Sequence, residues 1–197
     1  MIFSDVKIQE LISSGRIKHT YDDAVNPASL NVRLGHTFLT PKFVREPIEL
    51  GDDISYDKWT AKIGEKVLIE PGEFMLATTM EWIDLSGYSQ VDEETNELTN
   101  DLAAFVQGRS SMGRIGLSVQ NAGFVDPGFR GHITLELKND GPNPIGLIVG
   151  YPIAQLVFIE SYPVCYEYKG KYLDQVEATG SRMNQDKMEA FGLKRGA

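Results

Sequence analysis

The sequence is short of the residues that form covalent cross-links and zinc sites. It has one cysteine, Cys165, among 197 residues. A single cysteine excludes an intrachain disulfide, and it also excludes a cysteine-based zinc site. Any chemistry in this chain must therefore be carried by other groups.

Long apolar runs are also missing. No run approaches the roughly 20 residues that span a membrane. The first residues, MIFSDVKIQ, lack the basic start and long apolar core of a signal peptide. We therefore expect a protein of the cytoplasm, or of the host cytoplasm if the source is viral, with no membrane partner.

Positive charge is scarce, since 19 Lys and Arg residues stand against 28 Asp and Glu residues, a net charge of −9. So acidic a protein is a poor non-specific binder of nucleic acid, because phosphate backbones attract basic surfaces. A polyphosphate ligand would need positive charge concentrated in one place. The candidates for that charge are Arg109, Arg114, Lys171 and Arg182.

The alternation of apolar residues and turns predicts a mainly β protein with one domain over residues 1–197. Short segments rich in β-branched and aromatic residues are separated by Gly, Pro, Asn or Asp, which is typical of a β-sandwich or barrel-like fold. A helix of about ten residues is predicted to begin after Ser4 and to end at Gly15. The predicted strands are 30–34, 66–70, 74–78, 103–107, 132–137, 145–149 and 153–160.

Two polar segments depart from this pattern. Residues 84–101, DLSGYSQVDEETNELTND, are acidic and predict an exposed loop or a hairpin extension between two strands. After Ser181 the chain becomes polar again, which predicts a short terminal helix or a disordered end.

The most informative stretch begins at Gly108 with the turn GRSSMGR and runs to Asn139. Small residues let a backbone approach a ligand closely, hydroxyls donate to phosphate oxygens, and arginine pairs with them bidentately. The turn lacks the Gly-Lys-Ser/Thr of a Walker loop. Taken alone, it predicts either a phosphate-binding turn or an ordinary polar turn.

The strand HITLELK, 132–138, carries a single carboxylate at its centre. Side chains of a strand alternate between two faces, so Ile133, Leu135 and Leu137 should enter the core. Glu136 should then point the opposite way, beside Thr134. In a pocket such a carboxylate is suited to proton transfer, whereas on a solvated face it would be ordinary.

Two further segments carry candidate ligand-binding groups. Asp126 precedes Pro127-Gly128, where it could cap its own turn, hold a sugar hydroxyl or orient a water. The segment YKGKYLDQ, 168–175, could close over a bound phosphate, although a lysine in a terminal arm is usually solvated.

Together these segments closely resemble the dCTP deaminase family, the zinc-independent branch of the dUTPase superfamily. The resemblance rests on five motifs in the family's order, and Asn31 departs from it because the family usually has aspartate there. None of the three histidines belongs to a His-x-Glu motif, so the zinc-dependent deaminase chemistry is excluded. The motifs are NPASLNVRLG (26–35), GRSSMGR (108–114), NAGFVDPGF (121–129), ITLEL (133–137), and Gln155 with YKGKYLDQ and Ser181-Arg182.

The resemblance implies a homotrimer of distorted β-barrel or jelly-roll-like subunits of the dUTPase type, with active sites at subunit interfaces. It also implies an acidic insertion at about 86–100 and a C-terminal arm at about 163–197. Glu136 occupies the position of the family's essential glutamate, the general base on the attacking water. Ser111 and Arg114 occupy positions that place the water and support that carboxylate.

The resemblance also implies how the nucleotide is held. Asp126 lies at the position that binds the deoxyribose 3′-hydroxyl, and Tyr168 and Thr134 lie near sugar and base. Mg²⁺ would be held mainly by the triphosphate, without direct protein ligands, and dTTP is an expected inhibitor. The implied triphosphate-binding residues are Arg109, Ser110, Gln155, Lys171 and Gln175.

The first hypothesis for the function is deamination of dCTP to dUTP and ammonia. The alternative is a bifunctional enzyme that releases dUMP and pyrophosphate, because NAGFVD resembles a group that includes dUMP-forming enzymes. A plain dUTPase is less favoured, since Glu136 and the Gly-Lys-Tyr arm are present and no glycine-rich tail follows Ser181. A non-catalytic nucleotide sensor is disfavoured because Glu136 is retained.

Overall fold

The computed structural model describes residues 1–88, 101–120 and 123–186. Within these ranges the protein is mainly β, as predicted. Helix α1 spans Asp5–Ser13, α2 is a single turn at Ser110–Gly113, and Met183–Gln185 form a 3-10 turn. The strands are β1 (Ile17–Lys18), β2 (Val25–Asn26), β3 (Ser29–Pro41), β4 (Tyr56–Thr60), β5 (Lys66–Ile69), β6 (Phe74–Asp84), β7 (Asp101–Gly108), β8 (Leu117–Gln120), β9 (Phe124–Val125), β10 (Arg130–Asn139), β11 (Ile145–Ile148) and β12 (Pro152–Ser161).

The N-terminal helix confirms the prediction made from its ends. Ser4 is the N-cap residue and its carbonyl oxygen accepts from the Ile8 amide at 3.0 Å. Gly15 follows the helix with φ +76°, a backbone conformation that glycine adopts without strain. The buried residues Ile8 and Leu11 attach the helix to the core.

All seven predicted strands are present, and several are longer than their apolar pattern indicated. Strand β3 continues through Gly35, where the pairing with β6 shifts between Leu34 and Phe38. A Cβ on Gly35 would lie 2.5 Å from Cγ2 of Thr78, so glycine allows the two strands to approach closely. The glycine therefore marks an irregularity within a strand and not the end of one.

The large sheet is curled. Its strand order is β8-β10-β6-β3-β12-β7-β9, with every pairing antiparallel. In a flat sheet the two edge strands would stand about 29 Å apart. Only residues 121–123 join β8 to β9, and they can span at most about 14 Å. The connection therefore requires the edge strands β8 and β9 to curve toward each other. The resulting half-barrel agrees with the predicted barrel-like fold class.

Two apolar clusters stabilise this curled sheet. The main core contains the inward face of β10 together with residues from α1, β3, β6, β7 and β12. A smaller cluster joins Leu39, Leu76 and Ala178, with Tyr56 and Phe74 packed against it. Ala178 belongs to the C-terminal arm, so this second cluster is where the arm meets the sheet.

Five short strands were not predicted, and β4 shows why. Four of its five residues are exposed, so it has no alternating apolar pattern to identify it. The core of the acidic segment, 89–100, and the tail from 187 lie outside the described residues. Among the described residues no helix has the length and apolar character needed to cross a membrane.

Candidate active site

A cavity of about 500 Å³ lies where β10, the turn after β9 and the C-terminal arm meet. Strand β10 and the C-terminal arm both contribute to its lining, the arm through Tyr168, Tyr172, Gln175 and residues 179–181. Its lining is Tyr56, Phe74, Leu76, Val106, Gly123, Phe124, Val125, Asp126, Phe129, Ile133, Thr134, Leu135, Glu136, Tyr168, Tyr172, Gln175, Thr179, Gly180 and Ser181.

Alternation along β10 places the Glu136 side chain on the face opposite the core, and Glu136 is among the residues that line the cavity. Ile133, Leu135 and Leu137 are 7%, 1% and 0% exposed, which confirms the prediction that they enter the core. Glu136 and Thr134 are half-buried on the opposite face and line the cavity. The backbone of Glu136 is held from both sides, because it pairs with Leu76 of β6 and with Gln120 of β8.

The turn Asp126–Phe129 positions a second carboxylate at the cavity. The Phe129 amide donates to the Asp126 carbonyl oxygen at 3.1 Å, which closes the turn that Pro127-Gly128 predicted. A Cβ on Gly128 would lie 2.5 Å from Cβ of Glu167, so the turn packs tightly on the arm. The Tyr168 amide donates to the Pro127 carbonyl oxygen at 2.8 Å, and the Tyr168 ring lies 6.1 Å from that of Phe129.

Gln175 lines the cavity and pairs with β10 through both its side-chain amide and its backbone carbonyl. Its Nε2 donates to the His132 carbonyl oxygen at 2.6 Å, and the His132 amide donates to the Gln175 carbonyl oxygen at 2.9 Å. Burial lowers the pKa of His132, so its imidazole stays neutral beside this contact at neutral pH. Gln175 therefore anchors the arm to the strand that carries Glu136.

Six of the predicted site residues do not line the cavity in the part of the chain that the structure describes. The GRSSMGR turn forms α2, and Arg109 Nη1 donates to the Pro152 carbonyl oxygen at 3.0 Å. Lys171 pairs with Asp186 at 2.6 Å, and its Nζ lies 5.8 Å from the ring centre of the cavity residue Tyr172. The six are Arg109, Ser110, Ser111, Arg114, Gln155 and Lys171, whereas Asp126, Thr134, Glu136, Tyr168 and Gln175 are brought together.

The charges of the cavity are unbalanced. Among the described residues that line it, Asp126 and Glu136 are the charged ones, and both are carboxylates. A triphosphate cannot be held by this surface alone, because it would need cations and N–H donors. The described residues also contain no group of three or more His, Cys, Asp or Glu side chains that could hold a metal ion.

Sequence reasoning missed part of the lining. Phe74, Thr179 and Gly180 line the cavity but belong to no motif that was singled out for chemistry. Tyr56 begins β4 and meets the arm residue Ser181, 125 positions later in the chain. A contact over that separation leaves no local pattern by which it could be recognised.

The fold and the cavity define a mainly β protein with an aromatic pocket that presents a strand-borne carboxylate. A family model described as dCTP deaminase-like matches residues 2–89 and 91–161. The chain therefore belongs to the dCTP deaminase-like family, as the motifs indicated.

Individual relatives agree with this assignment. A protein of Persephonella marina named dCTP deaminase, dUMP-forming, is 41% identical over 95% of this chain and 99% of its own length. A Halorubrum lacusprofundi protein named dCTP deaminase is 35% identical over 94% of this chain and 93% of its own length. The crystal structure of 2′-deoxycytidine 5′-triphosphate deaminase from Agrobacterium tumefaciens has the same fold, with a TM-score of 0.59 at 21% identity. That match covers 80% of this chain and 48% of the solved chain, so this protein spans about half of that length.

Proposed function

We propose that this protein is a bifunctional enzyme that converts dCTP and two waters into dUMP, ammonia and pyrophosphate. The observation that carries the proposal is the 41% identity, over nearly the whole of both chains, to a relative named dUMP-forming. The segment NAGFVD supports the same choice from the sequence. The second candidate is release of dUTP, which the relative named only dCTP deaminase favours.

In the proposed mechanism Glu136 is the general base. It takes a proton from the water that attacks C4 of cytosine, and a proton passes to N3 of the ring. The amino group then receives the proton of the new C4 hydroxyl, the C4–N bond breaks to release ammonia, and the C4 carbonyl of uracil forms. One carboxylate can carry these protons in sequence, and its half-buried place on a rigid strand supports that role.

The remaining predicted residues fit a site completed by more than one subunit. The described lining of one chain offers carboxylates and aromatic rings but lacks the cations that a triphosphate requires. We therefore propose a homotrimer in which residues from a neighbouring chain meet this cavity. We also propose a cytoplasmic location. Inhibition by dTTP would then be competition for the same pocket. The residues assigned to the shared site are Arg109, Ser110, Ser111, Arg114, Gln155 and Lys171.

Mg²⁺ fits this site as a companion of the triphosphate. Among the described residues no group of three or more candidate ligands would bind the metal on its own, and the cavity presents two carboxylates, Asp126 and Glu136. When bound, the metal would neutralise phosphate charge during hydrolysis.

Removal of Mg²⁺ is expected to lower turnover of dCTP by more than about tenfold. EDTA would be added to the enzyme with dCTP, and product would be measured by ion-exchange chromatography before and after excess Mg²⁺ is restored. A zinc-selective chelator at the same concentration serves as the control and should have no effect. Inhibition by that chelator, reversed by zinc, would contradict the proposed chemistry.

The products of dCTP distinguish the candidate functions. With dCTP labelled at the α-phosphate, we expect labelled dUMP, with pyrophosphate and ammonia released in equal amounts. Accumulation of dUTP as the final product would replace the proposal by the monofunctional deaminase. Hydrolysis of dUTP with dCTP untouched would indicate a plain dUTPase. Binding of both nucleotides without turnover would indicate a sensor.

A further inference from the structure

Residues 179–181 of the C-terminal arm line the cavity without an apolar side chain, whereas Tyr168, earlier in the arm, packs against the main core. Thr179, Gly180 and Ser181 line the cavity, and Ala178 is the arm residue buried in the small apolar cluster. Burial of one alanine contributes little to the free energy of folding. Specific polar contacts must therefore keep this part of the arm in place.

Tyr56 supplies one polar contact and one packing contact from the same side chain. Its hydroxyl accepts a hydrogen bond from the Ser181 amide at 2.9 Å. Its ring lies against Gly180, where an added Cβ would be 2.4 Å from Cε2 of the ring. Tyr56 also lines the cavity, so the same side chain touches the arm and the space that the arm encloses.

Two neighbouring contacts connect the arm to β10 and, at a second point, to β4. The Thr179 amide donates to Oγ1 of Thr134 at 3.1 Å, and Thr134 lies two residues before Glu136 on β10. Lys58 of β4 pairs with Glu177, but both side chains are about half exposed, 48% and 47%. An ion pair that open to solvent stabilises weakly.

We propose that Tyr56 is a positioning residue that holds Gly180 and Ser181 as a wall of the active-site cavity. The arm is thereby ordered before the nucleotide arrives. Binding then does not have to supply the free energy of ordering it, so affinity depends on Tyr56. The chemistry depends on Glu136 and is unaffected by Tyr56. The kinetic consequence rests on the proposed function, whereas the structural contact does not.

Hydrogen exchange in the free protein tests the contact without any substrate. In Tyr56→Phe the ring remains and the acceptor for the Ser181 amide is lost, so exchange of that amide should become about tenfold faster. Tyr166→Phe is the matched control, since that tyrosine is 90% exposed, and it should leave this amide unchanged. Equal exchange at Ser181 in wild type and Tyr56→Phe would overturn the proposal.

Steady-state kinetics test the positioning role. Tyr56→Phe should raise KM for dCTP about fivefold, the factor expected for one neutral hydrogen bond, with kcat within about twofold of wild type. Gly180→Ala, which displaces the ring, should raise KM further, and the melting temperature of each variant should stay close to that of wild type. A fall in kcat and melting temperature at unchanged KM would mean a merely structural role and overturn the proposal. If wild type turns over no dCTP, the proposed function fails, but the exchange measurement still decides the contact.

Discussion

Glu136→Gln should lower kcat for deamination by about 10²- to 10⁴-fold, the contribution expected of a positioned general base. Glutamine preserves the shape of the side chain on β10, but its amide cannot accept a proton from water at neutral pH. Binding of dCTP should therefore change little. Initial rates of ammonia release give kcat, and calorimetric titration with dCTP gives the dissociation constant. Deamination at the wild-type rate would show that another group is the base.

A matched control lies two residues further along the same face of the strand. Lys138 pairs with Asp140 at 3.3 Å at the end of β10 and does not line the described cavity. Lys138→Gln should leave kcat and KM close to those of wild type. Loss of activity in this control would mean that any polar change on this face of β10 disturbs the site, and the result for Glu136 would then not identify a base.

Mixed oligomers extend the test to the proposed subunit interface. Ser111 lies on α2 and does not line the cavity of its own chain in the described residues. Co-expressed Glu136→Gln and Ser111→Ala chains, purified through two different tags, should regain part of the wild-type activity. Some sites would then combine an intact Glu136 with an intact Ser111 from a neighbour. Failure of two individually inactive variants to complement would argue for a site within one chain.

The sequence predicts most of the fold because its strands carry a local signal. In β10 the apolar residues Ile133, Leu135 and Leu137 alternate with polar ones, and the structure buries the first set as expected. The extent of β3 could not be read in the same way. Glycine usually weakens a strand, and only the close approach of β6 at Thr78 explains why Gly35 lies within one.

The candidate site was predictable only in part, for two different physical reasons. Glu136 follows from alternation, and the bend at Asp126 follows from Pro-Gly turn chemistry. The assignment of Ser111 and Arg114 comes from resemblance alone, because no local rule relates a helical turn after β7 to a carboxylate on β10. Tyr56 has no motif and acts across the fold, so its contact with Ser181 appears only when the chain is folded.

Arg33→Met should destabilise the fold by about 3–5 kcal/mol, because it removes the positive partner of the buried Glu81 carboxylate. Glu81 is 0% exposed, and its Oε1 lies 2.7 Å from Nε of Arg33. The Arg33 amide also donates to Oε2 at 2.7 Å. Arg33 further donates to the His19 carbonyl oxygen, and its guanidinium lies 4.9 Å from the ring centre of Tyr21. A chain of this length should lose about 10 °C in melting temperature.

The pH dependence of this loss follows from the direction of the pKa shift. Burial raises the pKa of Glu81, while the bonds from Arg33 lower it. Without Arg33 the folded-state pKa should lie further above the unfolded value of about 4.3. Between these two values the folded state holds a proton that the unfolded state has released, so stability falls as pH rises. The difference between Arg33→Met and wild type should therefore be smaller at about pH 5 than at about pH 8. Burial also lowers the pKa of His132. Because His132 is present in both proteins, it does not account for the difference between them.

A second substitution separates the lost charge pair from lost packing. In the double variant Arg33→Met with Glu81→Gln the buried charge is gone, so most of the lost stability should return and the added pH dependence should disappear. Arg130→Met is the control for removing an arginine, because its partner Asp174 and Arg130 itself are both substantially exposed, and its stability should change little. Urea unfolding at the two pH values gives each free energy. If the double variant were as unstable as Arg33→Met at both pH values, the stabilisation would come from the packing of Arg33 on Tyr21 and not from its pairing with Glu81.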